Sequence, residues 1–323
     1  MKKIGVYTSG GDAPGMNACI RAVVRTALAN QIEVVGIRRG YQGMIEGDFV
    51  EMKANSVSNI IQRGGTILKS SRSQEFRTPE GRQQAFSQLR QAGIEGLVAI
   101  GGDGTFAGAR IFSNEFNIPV VGCPGTIDND LYGTDFTIGY DTALNTAMDA
   151  IDKIRDTADS HNRLFFIEVM GRDAGFIALN TGIASGAEAV CIPETKTFVE
   201  DIIAKLEQGW LRHKSSSIII VAEGDDAGGA FQVAEKVKEK FDHYDTRVVV
   251  LGHIQRGGSP SCMDRVLASR LGASAVDALL DGLSNVMVGL VNNEISHTSF
   301  AKACKQHQTV NPHLLNLVEV LSV

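Results

Sequence analysis

Leu97-Val98-Ala99-Ile100-Gly101-Gly102-Asp103-Gly104-Thr105 is the stretch that decides the fold. Its apolar start reads as a buried strand, its glycines as a tight turn at the strand's carboxyl end, and the residues beyond as a helix. The same unit returns along the chain. Ile4–Thr8 runs into Gly10-Gly11-Asp12-Ala13-Pro14-Gly15, with a helix expected from Asn17 to Ala29. Leu164–Val169 runs into Gly171-Arg172-Asp173-Ala174-Gly175, and Ile218–Ala222 into Glu223-Gly224. Arg247–Leu251 runs into Gly252-His253-Ile254-Gln255-Arg256-Gly257-Gly258, with a helix from Asp264 to Leu280.

Strands that alternate with helices imply parallel β-sheets covered on both faces. The expected class is α/β: two Rossmann-like lobes, each a mostly parallel sheet flanked by helices, with the active site in the cleft between them. A helical stretch from Thr142 to Asp156 marks the passage from one lobe to the other, and no Pro/Gly/Ser linker separates them. Ligands of such folds sit at the carboxyl ends of strands, where every unusual loop of this chain falls.

With 323 residues the prior is about two domains. The composition, 43% hydrophobic and 21% charged, is that of a globular protein. The chain has 35 glycines, and those that form doublets after apolar runs suit phosphate-binding turns better than a linker. Net charge is −6 and no dense Lys/Arg tract occurs, so nucleic acid is not an expected partner. Cys19, Cys123, Cys191, Cys262 and Cys304 form no CxxC pair and read as reduced core residues. The first residues carry no signal-peptide pattern and no apolar run is long enough to span a bilayer, so the expected location is the cytoplasm.

Pro124-Gly125-Thr126-Ile127-Asp128-Asn129-Asp130 follows an apolar run, Ile118-Pro119-Val120-Val121-Gly122, that reads as a strand. Gly lets backbone approach a ligand, Thr supplies a small donor and acceptor, and a carboxylate there can take a proton or help hold a metal. An Asx-rich turn would look similar. The chain has no GxxxxGK[ST] loop, no HRD or DFG element, no HExxH, no GxSxG, and no GxGxxG spacing in its first loop. What remains is a pair of Gly-rich loops with acidic neighbours, and arginines near strand ends. The N–H groups of Gly10-Gly11 and Gly101–Gly104 can cradle phosphate oxygens, and Asp103 is placed to hold Mg²⁺ through a carboxylate oxygen. Arg172 and Arg256 sit in Gly-bearing loops and suit an anion. Sequence context alone does not single out Arg72, Arg163 or Arg247.

Gly10–Asn17 (GGDAPGMN), Gly101–Thr105 (GGDGT), Pro124–Asp130 (PGTIDND), Met170–Arg172 (MGR) and Gly252–Pro260 (GHIQRGGSP) together resemble bacterial 6-phosphofructokinase. The match runs in order over nearly the whole chain and is weakest at 224–245 and after about 305. The GGDGT element alone is shared with lipid and NAD kinases; the full set is far more specific. The resemblance implies transfer of the ATP γ-phosphoryl group to the C1 hydroxyl of fructose 6-phosphate, the committed step of glycolysis. It implies an ATP-binding lobe at 1–138 plus about 256–308, and a sugar-phosphate-binding lobe at 139–255 plus about 309–323. Asp128 matches the general base, Asp130 an acidic partner near substrate and metal, Thr126 a contact to substrate and moving phosphoryl group, and Arg172 the stabilising cation. Asp103 matches the Mg²⁺ site. Gly11, Tyr41, Arg72, Ser73, Gly102, Gly104 and Thr105 match nucleotide contacts. Met170, Gly171, Glu223, His253 and Arg256 match the sugar-phosphate pocket, which Arg163 and Arg247 would reach from a neighbouring subunit of a homotetramer.

Pyrophosphate-using relatives carry Asp and Lys where this chain has Gly104 and Gly125, so the resemblance favours ATP. Intact Asp103, Asp128 and Arg172 argue against an inactive nucleotide-binding subunit. The absence of a basic or hydrophobic docking stretch argues against a lipid kinase. Arg21 and Arg25 share a helix face. With Arg155, Gly186, Glu188, Arg212 and Lys214 they match an effector site for ADP or phosphoenolpyruvate. Ala54, Asn59, Ser215 and Ser216 depart from the family there, which thins the expected anion pocket.

Overall fold

The structure, a computed structural model, describes residues 1–160, 163–306 and 308–322. In chain order its elements are β1 (Lys3–Thr8), α1 (Met16–Ala29), β2 (Glu33–Ile37), α2 (Gly40–Glu46), β3 (Phe49–Met52), α3 (Pro79–Gln91), β4 (Gly96–Gly101) and α4 (Asp103–Phe116). There follow β5 (Val120–Pro124), α5 (Tyr140–Ala158), β6 (Arg163–Val169), α6 (Phe176–Ser185), β7 (Ala189–Cys191), α7 (Val199–Leu211), β8 (Ser217–Ala222) and α8 (Ala230–Lys238). The last are β9 (Asp245–Val250), α9 (Cys262–Leu280), β10 (Val286–Val291), β11 (Glu294–Ser299), α10 (Phe300–Ala303) and α11 (Pro312–Leu321). The chain divides into two compact units. One comprises Met1–Ile127, Leu131–Thr142 and Arg256–Gln308; the other comprises Asp128–Asp130, Ala143–Gln255 and the chain from Thr309 on.

The first unit holds a seven-stranded sheet in the order β11-β10-β5-β4-β1-β2-β3. Its middle is parallel and its two rims, β3 and β11, are antiparallel. β4 is buried at every residue, as a strand covered on both faces must be. The strand expected at Ile118–Gly122 is instead β5, Val120–Pro124. Asn117 ends α4 in a left-handed conformation, and the register Leu97↔Val120 to Gly101↔Pro124 carries pairing on to the proline. The antiparallel rims were not anticipated. β10 and β11 join through Asn292-Asn293, both with positive φ, a tight-hairpin signal that was present in the sequence. The core gathers Tyr7, Ile37, Phe106, Phe112 and Phe300, with the Phe106 and Phe300 rings stacked at 5.0 Å.

The second unit holds a parallel sheet in the order β7-β8-β6-β9. Its core includes Leu164, Phe166, Ile219 and Val221 from the central strands, packed against Ile202, Leu206, Val233 and Val237 from α7 and α8. The two central strands are the continuous apolar runs read from the sequence. Cys19, Cys123 and Cys191 are buried free thiols, but Cys262 is exposed at the start of α9 and Cys304 is half-buried, so the core reading does not extend to these two. No helix among the described residues is long and apolar enough to cross a membrane.

Asp264, fully buried in the first turn of α9, ties the start of that helix to the 139–142 segment of the first unit. Its Oδ1 accepts the Gly139 N–H at 2.8 Å, and its Oδ2 accepts the Thr142 N–H at 2.8 Å and the Thr142 hydroxyl at 2.5 Å. Thr142 Oγ1 in turn accepts the Ser261 N–H at 2.9 Å, and Ser261 Oγ caps α9 by accepting the Asp264 N–H at 3.1 Å. Burial pushes the Asp264 carboxyl above the usual aspartate range, against the pull of its donors. The native state therefore holds this proton more tightly than the unfolded chain does, and the group's share of stability falls as pH rises through the window just above that range. Asp264→Ala strands several buried donors, so a loss on the order of 3 kcal/mol or more is expected in denaturant unfolding. A loss below about 1 kcal/mol would show that these bonds do not hold the segments. Asp264→Asn, which cannot ionise, should also remove the acid-side component of the stability profile.

Candidate active site

In the first unit β1, β4 and β5 lie side by side and end together. The chain order runs outward from β1 on one side and from β4 on the other, so the loops after these strands sit where the sheet's winding direction reverses. Ser9 N–H donates to the Ile100 carbonyl at 3.0 Å, and Thr105 Oγ1 donates back to the Ser9 carbonyl at 3.1 Å. Gly125 N–H donates to the Gly101 carbonyl at 3.0 Å. Thr126 is fixed through its own carbonyl, which accepts the Thr137 hydroxyl at 2.6 Å. A Cβ built on Gly102 would lie 3.7 Å from the Thr126 Cβ. Three loops distant in sequence, Gly10-Gly11, Gly101–Thr105 and Gly125-Thr126, thus form one surface. Asp103 opens α4, and the exposed N–H groups of that helix start favour an anion.

The surroundings of the other residues expected at the nucleotide vary. Tyr41 is buried: its hydroxyl donates to the Thr105 carbonyl at 2.5 Å, and its ring stacks on Phe76 at 3.9 Å. Tyr7 donates to the Tyr41 hydroxyl at 3.1 Å, so two buried phenols support the Gly101–Thr105 turn and leave little of Tyr41 to meet a nucleotide. Burial raises the pKa of both. Ser73 Oγ donates to Gln42 at 2.8 Å and accepts the Phe76 N–H at 3.1 Å, while Arg72 beside it is exposed. The guanidinium of Arg256 lies over Gly11, where an added Cβ would come within 2.1 Å of it. Arg256 is therefore seated on the Gly10-Gly11 loop of the first unit.

In the second unit Met170-Gly171-Arg172 follows β6, Glu223-Gly224 follows the adjacent β8, and His253 lies exposed in a 3-10 turn, Gly252–Arg256, after β9. One Glu223 oxygen, Oε1, accepts the Arg172 N–H at 2.7 Å and the Gly171 N–H at 3.3 Å. Arg172 has φ of 54°, a left-handed conformation that a non-glycine residue adopts only when its surroundings impose it. Gly224 allows this: a Cβ there would lie 2.1 Å from the Arg172 carbonyl oxygen. Asp128 and Asn129 are buried and Asp130 is half-buried, with Asn129 also left-handed at φ 54°.

Arg163 and Arg247 are not at this end of the sheet. Both approach Asp245, Arg247 Nη2 at 2.7 Å and Arg163 Nε at 3.6 Å, at the amino ends of β6 and β9. The length of β6, roughly 20 Å, separates Arg163 from Met170, and Arg247 pairs with Phe165 only two residues further along.

The expected effector residues divide between the units. Arg21 is half-buried and Arg25 exposed on α1, and neither has a hydrogen-bond or ion-pair partner among the described residues. In the other unit Arg155 donates to the Ser185 carbonyl, Gly186 ends α6 at φ 63°, and Arg212 is exposed at the end of α7. Glu188 is buried, accepts the Ile218 N–H at 2.5 Å and pairs with Lys214. Ala54, Asn59 and Ser215 are exposed, whereas Ser216 is buried and hydrogen-bonded to Asp159. Gly224→Ala should force the Arg172 turn to move and lower stability by about 1–3 kcal/mol in denaturant unfolding. An unchanged midpoint would mean that the turn yields without strain.

The phosphofructokinase family model matches residues 3–279. The chain is 58% identical over 323 residues to ATP-dependent 6-phosphofructokinase 2 of Bacteroides thetaiotaomicron, covering all of this chain and 99% of the relative. It is 59% identical to ATP-dependent 6-phosphofructokinase 1 of Thermus thermophilus, covering both chains fully. Among solved structures it resembles phosphofructokinase from Saccharomyces cerevisiae, with a TM-score of 0.90 and 36% identity over all of this chain and 48% of the yeast chain. A pyrophosphate-dependent phosphofructokinase from Marinobacter aquaeolei shares the fold at a TM-score of 0.84 and 23% identity, covering 97% of this chain and 86% of that one. The matched span contains all the strand-end loops described above, and the chain belongs to the phosphofructokinase family.

Proposed function

We propose that the chain is an ATP-dependent 6-phosphofructokinase, transferring the γ-phosphoryl group of ATP to the C1 hydroxyl of fructose 6-phosphate in glycolysis. The observation that carries the reading is the joining of Gly10-Gly11, Gly101–Thr105 and Thr126 at three adjacent strand ends. It occurs in a chain 58–59% identical, end to end, to relatives of that name. The first unit would bind the nucleotide and the second the sugar phosphate, in the cytoplasm.

Phosphoryl transfer demands positioning and charge stabilisation more than covalent chemistry. Backbone N–H groups of Gly11 and of Gly102 to Gly104 would hold phosphate oxygens. Asp128 would take the C1 hydroxyl proton as that oxygen attacks, and Arg172 would bear on the negative charge of the moving group. Thr126 would orient that group, with Asp130 as the acidic neighbour. Met170, Gly171, Glu223 and His253 would line the sugar-phosphate side. Asp103 fits a Mg²⁺ role, because it stands at the mouth of the Gly101–Thr105 turn. No group of three or more His, Cys, Asp or Glu among the described residues forms a ready metal cage. One carboxylate with the remaining oxygens from phosphates and water is the usual Mg²⁺ arrangement. Bound there, the ion would neutralise phosphate charge.

Arg163 and Arg247 lie at the far end of their sheet, which supports a role in a neighbouring subunit's pocket and hence a homotetramer. Arg21, Arg25, Arg155, Gly186, Glu188, Arg212 and Lys214 would form the effector site for ADP or phosphoenolpyruvate, with Lys214 already drawn to Glu188.

The donor reading gains a structural basis. A side chain at Gly104 would meet nothing within 4 Å, so it would project into open space at the Gly101–Thr105 turn, where the nucleotide phosphates would lie. A Cβ at Gly125 would stand 3.1 Å from Ile100 and Met16, so that glycine also serves packing. In a coupled assay with fructose 6-phosphate and Mg²⁺, turnover is expected with ATP and not with pyrophosphate; the reverse would overturn the donor assignment. Gly104→Asp should fold normally yet lose most ATP-dependent turnover. Asp128→Asn should lower kcat by about 10²–10⁴-fold while ligands still bind. Near-normal turnover in that variant would remove Asp128 from the base role.

A further inference from the structure

Gln255 lies outside every role assigned so far. It is fully buried, in the Gly252–Arg256 turn between exposed Ile254 and half-buried Arg256. Its Oε1 accepts the Met170 N–H at 2.9 Å, the residue that leads from β6 into Gly171-Arg172. Its Nε2 is buried with no hydrogen-bond partner among the described residues. A half-satisfied buried amide is a net burden on stability, and an apolar side chain of similar size would fill the space without it. Retaining the amide is therefore explained by the bond that its oxygen makes.

That bond completes the restraint of a strained turn. Glu223 holds the N–H groups of Gly171 and Arg172 from one side, and Gln255 holds the N–H of Met170. Three successive backbone donors are thereby fixed by two side chains from different segments. Arg172 stays left-handed only while its surroundings impose that conformation. The same Gln255 side chain also couples the turn that carries His253 to the turn that carries Arg172.

We propose that Gln255 is a positioning residue that holds the Met170-Gly171-Arg172 turn in the geometry phosphoryl transfer requires. The proposal rests on the reading of Arg172 as the stabilising cation. Gln255 touches neither substrate nor nucleotide in this role; it acts through the backbone of Met170.

The test is a double-mutant cycle on the full-length enzyme, with kcat, both KM values and the unfolding midpoint measured for each variant. Gln255→Met keeps the volume and removes the acceptor. Gln255→Asn keeps polarity but is one methylene short of Met170, and carries the test if the Met variant does not fold. Gln255→Glu keeps an acceptor. A turn displaced by about 1 Å can cost up to about 10²-fold in rate. The Met and Asn variants should therefore lose about 10- to 100-fold in kcat with the KM for ATP little changed, and Gln255→Glu should stay within about 5-fold of the parent. In an Arg172→Ala background the same substitutions should cost little, because the group being positioned is gone. An equal loss in both backgrounds, or no loss in the parent, overturns the proposal. If Arg172→Ala itself turns over normally, the reading of Arg172 fails instead, and the two failures are told apart.

Discussion

One buried carboxylate organises the first unit. Asp264 sits where no water replaces its partners, so its charge is tolerated only through donors supplied by Gly139 and Thr142. Ser261 and Thr142 close the set by bonding each other and the carboxylate's own helix. The Arg256–Pro260 loop enters α9 through this knot. Arg265 of α9 then ties Ser259 and Pro260, and Ser259 reaches the Gln62 carbonyl at 2.8 Å. The seat of Arg256 on Gly11 follows from a loop fixed at its far end. Asn17 acts in parallel: its amide binds the carbonyls of Arg63 and Gly64 and the N–H of Ile67, fastening the 63–67 loop to the first turn of α1. Polar residues of the GGDAPGMN and RGGSP motifs thus hold neighbouring backbone in place.

The two units use the same construction with different fixings. In the first, the strand-end backbone is locked by hydroxyls: Thr105 on Ser9, Tyr41 on Thr105, Thr137 on Thr126. In the second, the Met170–Arg172 turn is locked by a carboxylate and an amide, because its left-handed arginine needs stronger restraint than a glycine would. Rigid donors aimed at a developing charge stabilise it without reorganising during the reaction, which is the economy expected of a phosphoryl-transfer site.

Much of this was legible because its cause is local. Apolar runs followed by glycine-bearing turns yielded β1, β4, β6, β8 and β9 within a residue or two. The Asp and Thr residues at the strand ends announced chemistry by type and spacing. The rims β3 and β11 were missed because short, half-exposed edge strands lack a strong apolar pattern, although Asn292-Asn293 marked a hairpin. Gln255 was missed for another reason: an amide in a loop is indistinguishable by sequence from a solvated one until its burial is known.

The sequence by itself determined the α/β class, the order of the glycine-bearing strand-end turns and which carboxylates and arginines stand in them, while the roles of base and cation were implied by the resemblance to the family. The former follow from periodicity, turn chemistry and side-chain type, all carried by neighbours along the chain. Only the tertiary structure decided that Tyr41 is a buried support, that Arg256 rests on Gly11, and that Arg163 and Arg247 both approach Asp245 toward the amino ends of β6 and β9. Each of these depends on which distant segments pack together, and packing distance has no one-dimensional signature.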